Sequence, residues 1–393
     1  MSNESIKGPD LGRLKNLLNM DIKSLGKVRS NNKDIEGFFK RGVLSKKLVC
    51  FDIGSNSIKV VVGKKKKDKV IIYDAFSFPT PEGALADGKI LNDFEISRLI
   101  KENIGLHNVK TTDSVCTTNS TTVINREIVV PKARGEEMDT LVNFEIQQYL
   151  PINMDNYTVQ YNILGEFTEE NVERCSVLVI TYPNTMAKEY FNLLKVSSLK
   201  PYALDVTFNS INKLYNSATH INNEYIEKTS TVAFMDMGSE NIDIHIYKGR
   251  KLEFTRAIRS AGGDLDGKIA RRYDVTLKEA EKRKIKESNL LSDNSSEEIN
   301  EFNLFIKEEV QQWAEEIQKI IKFYKNKRVG NKIDKIYIFG GSSRIKGMDT
   351  YLEEMLGLTT KYIKDMNNIE IENGTAFQDL DIYLNALGSI IRL

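Results

Sequence analysis

Short apolar runs closed by Gly, Ser and Asn stand out at two places along this chain. LVCFDIG (48–54) has the length and apolarity of a buried strand, Gly54-Ser55-Asn56 turns it, and SIKVVVG (57–63) returns as a second strand. The four lysines 64–67 with Asp68 read as a solvated hairpin turn before a third strand, VIIYDAFSF (70–78). A hairpin tip between two clear strands explains the lysine run better than a nucleic-acid patch does. The same order recurs as VAFMDMG (232–238), a turn at Ser239-Glu240-Asn241, the alternating IDIHIY (242–247), a turn at Lys248-Gly249-Arg250, and KLEFTRAI (251–258). Alternation puts His245, between Ile244 and Ile246, on the outer face of its strand. Laid over each other without gaps, FDIGSNSIKVVV (51–62) and MDMGSENIDIHI (235–246) match Asp for Asp and Gly for Gly, at an offset of 184 residues (236 minus 52). That offset, about half the chain, predicts a duplicated α/β fold with two pseudo-equivalent halves.

Mixed elements lie between the two meanders. A helix is expected at 94–104, strands at 115–120 and 123–130, and an amphipathic helix at 136–150 ended by Pro151. Strands follow at 157–164 and 176–182, a helix at 185–197 and a strand at 203–206. After the second meander come helices at 264–272 and 277–288 and a polar loop through 293–296. A long helix then runs over 297–327, with Ser295 and Glu298 fitting a capping box. Its stripe (Ile299, Phe302, Ile306, Val310, Trp313, Ile317, Ile320, Tyr324) suits a helix packed on a sheet, and its spacing would also suit a coiled coil. A last buried strand at 335–340 precedes helices at 348–356 and 381–391.

Residues 1–37 differ from the rest. Leu11, Leu14, Leu17, Leu18, Ile22, Leu25 and Val28 recur at helical spacing with Arg13, Lys15, Lys23 and Lys27 between them. Residues 1–47 hold 11 Lys/Arg against 5 Asp/Glu, although the whole chain carries only +1. Such an arm is either a solvated tail or a segment that meets an acidic partner or, over 11–28, an anionic membrane surface. The balanced net charge gives no sign of nucleic-acid binding.

With 393 residues, 40% of them hydrophobic, the chain can bury a core in two domains. Cys50, Cys116 and Cys175 are odd in number and far apart, so they read as buried thiols of a reducing compartment. His107, His220 and His245 lack ligand spacing for zinc. Neither an apolar signal core nor a run of membrane-spanning length is present, which predicts a soluble, cytosolic protein.

The chemistry concentrates in the duplicated turns. Glycine after a strand-ending Asp lets the backbone take positive φ or approach a ligand closely. The amides of Ser55, Asn56 and Ser57 can then cradle phosphate oxygens. A carboxylate at the strand end, Asp52 or Asp236, is placed to hold Mg²⁺ through water. One such turn is weak evidence; two facing each other would clamp a polyphosphate from both sides. IYIFGGSSRIKGM (336–348) adds a strand and paired glycines against which a base or ribose can lie. Gly262 to Lys268, GGDLDGK, matches Gly-x-x-x-x-Gly-Lys, but Ile269 stands where a P-loop needs Ser or Thr.

These motifs resemble those of the actin, heat-shock chaperone and sugar-kinase superfamily. Asp52-Ile53-Gly54 with Lys59 looks like its first phosphate motif, and Asp236-Met237-Gly238 like its second. Phe339-Gly340-Gly341-Ser342 looks like its adenosine motif, and Ala386-Leu387-Gly388 like its second connecting motif. Within the superfamily, 38–393 is similar to the PilM family of type IV pilus assembly. The markers are FEIQQYLP (144–151), LKPYALDV (199–206), AGGDLDGKIA (261–270) and LKEAEKRK (277–284).

The resemblance implies an actin-like (RNase H-like) duplicated fold. After the arm of 1–37, the first lobe spans 38–230 with an inserted subdomain at about 80–175. The second lobe spans 231–370 with an insertion at about 264–295, and a C-terminal helix in 371–393 returns to the first lobe. It implies ATP with Mg²⁺ as ligand. Asp52 and Asp236 would hold the hydrated metal, and Lys59 would reach the phosphates. Gly54, Ser55, Asn56 and Ser57 would cradle them with Gly238, Ser239 and Asn241. Glu281 and Lys284 correspond to ribose-contacting residues, Gly340, Gly341 and Ser342 would border the adenosine, and Gly262 and Gly263 join the nucleotide-binding set. The water-positioning group of related folds is expected near 176–182, where only Thr181, Tyr182 and Asn184 offer themselves, so slow or absent turnover is implied. The implied role is a cytoplasmic scaffold at the inner face of the membrane, binding the cytosolic N-terminal peptide of a PilN-like inner-membrane protein. Other pilus components as partners, and an oligomer, are left open. The alternatives are an FtsA-like membrane-associated filament protein and a small-molecule kinase.

Overall fold

The computed structural model describes residues 46–150, 156–291, 296–372, 377 and 379–392. The arm expected over 1–37, the helix stop at Pro151 and the cap at Ser295 lie outside the described residues.

Strands β1 (Leu48–Ile53), β2 (Ser57–Lys66) and β3 (Lys69–Pro79) form the first meander. The lysine run is mostly strand rather than turn. Lys64, Lys65 and Lys66 pair with Ile71, Val70 and Lys69, and only Lys67 and Asp68 make the tip. Backbone pairing costs an exposed lysine nothing, because its ammonium stays in water while the stem lies along the strand. The short pair β4 (Leu85–Ala86) and β5 (Lys89–Ile90) leads to α1 (Asp93–Leu106), which starts where the Asn92 side chain accepts from the Glu95 amide. Next come β6 (Asp113–Thr118), β7 (Ile124–Pro131), α2 (Glu136–Tyr149), and the long hairpin β8 (Tyr157–Glu169) with β9 (Val172–Pro183). Then α3 (Asn184–Val196) and β10 (Lys200–Val206) run straight into α4 (Thr207–Ser217).

Helix α4 was not expected. Its sequence, TFNSINKLYNS, is rich in Asn, Ser and Thr, which favour caps and turns over helix interiors. Residues 207–215 are nonetheless all buried, so packing overrides propensity.

After β11 (His220–Ile221) and β12 (Glu224–Tyr225), the second meander is β13 (Thr231–Met237), β14 (Ile242–Lys248) and β15 (Lys251–Ile258). Helices α5 (Gly262–Tyr273), α6 (Leu277–Glu287) and α7 (Glu297–Lys327) follow. Then come β16 (Lys335–Phe339), a 3₁₀ turn (Gly341–Arg344), α8 (Met348–Leu356), β17 (Thr360–Tyr362), β18 (Ile369–Ile371) and α9 (Leu380–Ile390). The N-cap of α7 is Ser296, one residue beyond the expected Ser295, and it makes no side-chain cap bond.

The first sheet runs β10-β6-β1-β2-β3-β18 and the second β15-β14-β13-β16-β17. In each, a meander is extended beside its first strand by parallel strands: β6 on β1, and β16 on β13. Helix α7 lays Phe302, Ile306, Val310, Trp313 and Ile317 against Met235, Ile244 and Ile246, which settles its stripe as sheet-packing. The other face of the second sheet meets α4. His245, expected on an outer face, is therefore 1% exposed, with its Nδ1 2.8 Å from Thr255 Oγ1 and its ring edge on Phe208. Alternation identified the face correctly but not its cover, and burial holds the imidazole at a pKa of about 3. All three cysteines are buried and unpaired.

A third sheet, β7-β9-β8, packs on α2 around a separate small core of Ile128, Val142, Ile146, Val177 and Val179. This corrects the expected insertion at 80–175. Residues 113–118 are β6, which sits between β1 and β10 in the first sheet, so the inserted unit begins after it. The chain is also back in the first sheet by β18, which pairs with β3 before the expected boundary at 371.

Candidate functional site

Both Asp-x-Gly turns end a first strand, β1 or β13, and both face one cleft of about 610 Å³ between the two main sheets. The turns share their internal bonding. The Gly54 amide donates to the Ser57 carbonyl at 3.2 Å, and the Gly238 amide to the Asn241 carbonyl at 2.9 Å. The register repeats too: Asp52 pairs with Lys59, and Asp236 with Asp243. Neither Gly54 nor Gly238 is in the left-handed region, so the positive-φ option does not apply. What the glycines give is room. A Cβ at 54 would lie 3.1 Å from the Ser57 carbonyl oxygen, and one at 238 would lie 3.1 Å from that of Asn241.

The cleft gathers every expected site residue except Gly263. Asp52, Gly54, Ser55, Asn56, Ser57 and Lys59 line one side; Asp236, Gly238, Ser239 and Asn241 line the facing side. Gly262, Glu281 and Lys284 come from α5 and α6, and Gly340, Gly341 and Ser342 from the end of β16. Gly263 sits behind the second turn, donating its amide to the Ser239 carbonyl at 2.8 Å. The GGDLDGK segment forms the first turns of α5, which removes the P-loop reading.

Close packing fixes several of these positions. A Cβ on Gly262 would meet Ser342 Oγ at 2.1 Å, and that hydroxyl donates to the Gly238 carbonyl at 2.6 Å. Gly340 does need its glycine for conformation: its φ is 89°, and a Cβ there would lie 2.5 Å from Asp236 Oδ1. Lys284 is buried and donates to the Gly262 carbonyl at 3.0 Å and to Asp266 at 2.7 Å, using two of its three N–H donors. Glu281 reaches across the cleft mouth and accepts from Asn56 Nδ2 at 2.8 Å.

The electrostatics are concentrated under the turns. Lys59 Nζ lies 3.8 Å from Asp52 Oδ2, and Asn385 of α9 donates to Asp236 at 2.7 Å and approaches Asp52 at 3.5 Å. Burial raises the Asp52 carboxyl, against the pull of Lys59 and Asn385. Burial and then the neighbouring Asp52 charge push Asp236 up to about 6. Burial and the Asp236 charge push Asp243 up to about 7, against the bond from Asn119 Nδ2 at 2.6 Å. Crowded, desolvated carboxylates of this kind are what a cation relieves.

Residues absent from the sequence reading complete the cleft. Asp243 stands where the first half has Lys59. Asn119 follows β6, Thr207 opens α4, and Asn385 directly precedes the Ala386-Leu387-Gly388 motif. The 184-residue offset that matched the two turns also pairs Lys59 with Asp243, so that signal was present. Thr181, Tyr182 and Asn184, by contrast, do not line the cleft. They belong to the β9–α3 junction, where the Tyr182 hydroxyl lies 2.8 Å from Thr118 Oγ1 and Asn184 accepts from Thr158.

The cleft tests well for a metal–nucleotide. Its volume suits a small ligand. Thr207 Oγ1, Asn385 Oδ1 and Asp266 Oδ1 are buried at its wall without a hydrogen-bond partner among the described residues, an arrangement that a polar ligand or water would complete. Among the described residues no group of three His, Cys, Asp or Glu is placed to ligate a metal directly.

Residues 50–391 match the family model described as type IV pilus assembly protein PilM. Among solved structures, the chain is similar to a PilM-PilN type IV pilus biogenesis complex at 21% identity and TM-score 0.73, covering 88% of this chain and 98% of that one. It is also similar to the ethanolamine utilization protein EutJ from Carboxydothermus hydrogenoformans, at 12% identity and TM-score 0.52, covering 97% and 99%. The fold is actin-like. No helix among the described residues is long and apolar enough to cross a membrane.

Proposed function

The chain belongs to the type IV pilus assembly protein PilM family, and from that premise we propose that it is an ATP-binding scaffold at the cytoplasmic face of the membrane, which holds the cytosolic N-terminal tail of a PilN-like protein. The observation that carries the nucleotide reading is the pair of equivalent turns on opposite walls of one cleft. Asp52 and Asp236 hold hydrated Mg²⁺, whose charge offsets that of the phosphates. Lys59 reaches the phosphates, and the amides around Gly54 and Gly238 cradle them. Glu281 and Lys284 flank the ribose, and Gly340, Gly341 and Ser342 border the base. Thr207 and Asp243 are placed to orient water, which gives slow turnover a structural source.

Calorimetry with Mg·ATP should give one site per chain, and ligand at millimolar concentration should raise the thermal midpoint. No heat and no shift for the wild type would end the reading, and Asp236→Ala should weaken the site.

For the tail, the supporting feature is an open strand edge. Among the described residues β7 pairs only with β9, and its other edge faces β15, the edge of the second sheet, across a groove of about 530 Å³. Val129, Tyr149, Phe254 and Phe323 give the groove an apolar lining. An extended peptide can add to such an edge by backbone bonds. Fluorescence polarisation with a labelled PilN-like tail tests this; undiminished binding to Val129→Glu would put the peptide elsewhere.

A further inference from the structure

The first sheet has two ends. Its cleft end carries Asp52, Asn119 and Thr207, which close or follow β1, β6 and β10. The other end is where the same three parallel strands begin, about 20 Å away along six residues of β1. Lys47 precedes β1, Lys110 precedes β6, and Lys200 opens β10 opposite Asp113. The β2–β3 hairpin ends on this same rim, since Leu48 pairs with Gly63, and it adds Lys66 and Lys67. Two acidic groups at the rim are already engaged, Asp113 at 2.8 Å from Lys46 and Glu370 at 3.0 Å from Lys69, while Asp68 at the hairpin tip is an exposed carboxylate among the lysines. Lys47, Lys66, Lys67, Lys110 and Lys200 are exposed and form no ion pair among the described residues.

Two apolar side chains stand among these charges. Leu106 ends α1 and is 74% exposed; Val196 ends α3 and is 49% exposed. Each lies on the helix that leads into β6 or β10, hence at the rim. The segment 1–45 also joins the body here, at Lys46, and its sequence holds 9 Lys/Arg against 5 Asp/Glu with leucines at 11, 14, 17 and 18.

We propose that this lysine rim is a docking surface for an anionic lipid bilayer. The ammonium groups meet headgroup phosphates, and Leu106 and Val196 enter the interfacial layer. An acidic protein would supply pockets for individual lysines, whereas this rim is a row of separated charges, one of them (Lys47) lying 4.1 Å over the Tyr73 ring, edged by two apolar side chains, which a fluid charged surface matches. Docked this way, the molecule turns its cleft away from the bilayer and leaves it open to solvent. The proposal goes beyond the nucleotide and tail readings and holds or fails independently of them.

The test is flotation of the full chain with vesicles of phosphatidylcholine alone and of phosphatidylcholine with phosphatidylglycerol, over a salt series. The wild type should float with the anionic vesicles and release as salt rises. The variant K66Q/K67Q/K110Q/K200Q should bind at least about tenfold more weakly. The same four sites changed to Arg should keep binding, because charge rather than shape makes the contact. Leu106→Ser with Val196→Ser should reduce what remains bound at high salt. Four results would overturn the proposal: equal flotation with both vesicle types; no loss in the glutamine variant while K15Q/K23Q/K27Q in the arm abolishes binding; loss in the arginine variant; or tighter binding to a DNA duplex than to anionic vesicles at the same salt.

Discussion

The turn after β1 and the turn after β13 are copies that have parted company. Backbone and register agree, down to the amide of the third residue bonding the carbonyl of the sixth. Their surroundings do not. The second turn is embedded: Ser342 Oγ bonds the Gly238 carbonyl, and the amides of Gly262 and Gly263 bond the carbonyls of Gly238 and Ser239. The first is anchored by Thr80, whose hydroxyl donates to the Gly54 carbonyl at 2.6 Å, and by the bond from Asn56 to Glu281 at the cleft mouth. Opposite the aspartate, one half keeps a cation, Lys59, and the other a carboxylate, Asp243. A polyphosphate with its metal is itself asymmetric. In the proposed function the duplicated frame would supply symmetric backbone cradles, and single substitutions in each copy would supply the cation for phosphate and the acid for metal and water.

The most damaging way to break this comparison is to attack what both halves share. Helices α4 and α9 cross between the sheets, and a Cβ on Gly388 would lie 2.1 Å from the Ser210 carbonyl oxygen. Backbone cannot yield there as a side chain could. Gly388→Ala should destabilise the fold by about 3 kcal/mol, read as a lowered thermal midpoint with both sheets lost together. A midpoint equal to the wild type would mean that the crossing is looser than the geometry states.

Next is the charge difference itself. Lys59→Ala removes the charged donor proposed to meet the phosphates and should weaken Mg·ATP about 10- to 100-fold in calorimetry. Asp243→Asn should do the reverse in one respect. Removing a negative charge that crowds Asp236 should improve ATP binding without Mg²⁺ several-fold, while lowering any turnover. If both variants shift affinity in the same direction under metal-free conditions, the two positions are not opposed partners of one ligand.

Much of this was legible in the sequence, and the exceptions are instructive. The meanders, the paired turns and the Gly340-Gly341 pair could be read because each is local, a strand and its turn within a dozen residues. Helix α4 could not, since its polar sequence is made helical by burial between two sheets. Asn385 and Thr207 were missed for the same reason: they reach the cleft only because their helices cross beneath it. The insertion was misplaced because β6 pairs with strands distant in sequence, β1 and β10. Lys59 and Asp243 show the intermediate case, a difference visible in the aligned halves whose meaning required the register.

The mildest perturbation concerns the mouth of the cleft, where the two halves touch through the exposed bond from Asn56 to Glu281. An exposed neutral-to-charged hydrogen bond competes with water and contributes little, about 0.5–1 kcal/mol. Asn56→Ala should therefore leave the thermal midpoint nearly unchanged. Its effect should be kinetic, because the bond spans the opening through which the proposed nucleotide would pass. Breaking it should raise the association and dissociation rates of a fluorescent ATP analogue together, by roughly two- to threefold, a barrier change of less than about 1 kcal/mol. Stopped-flow mixing separates the two rates. Faster release without faster entry would mean that Asn56 holds the ligand itself. Unchanged rates would mean that the mouth opens by a route that leaves this bond intact, and the first turn would then be no more mobile than the second.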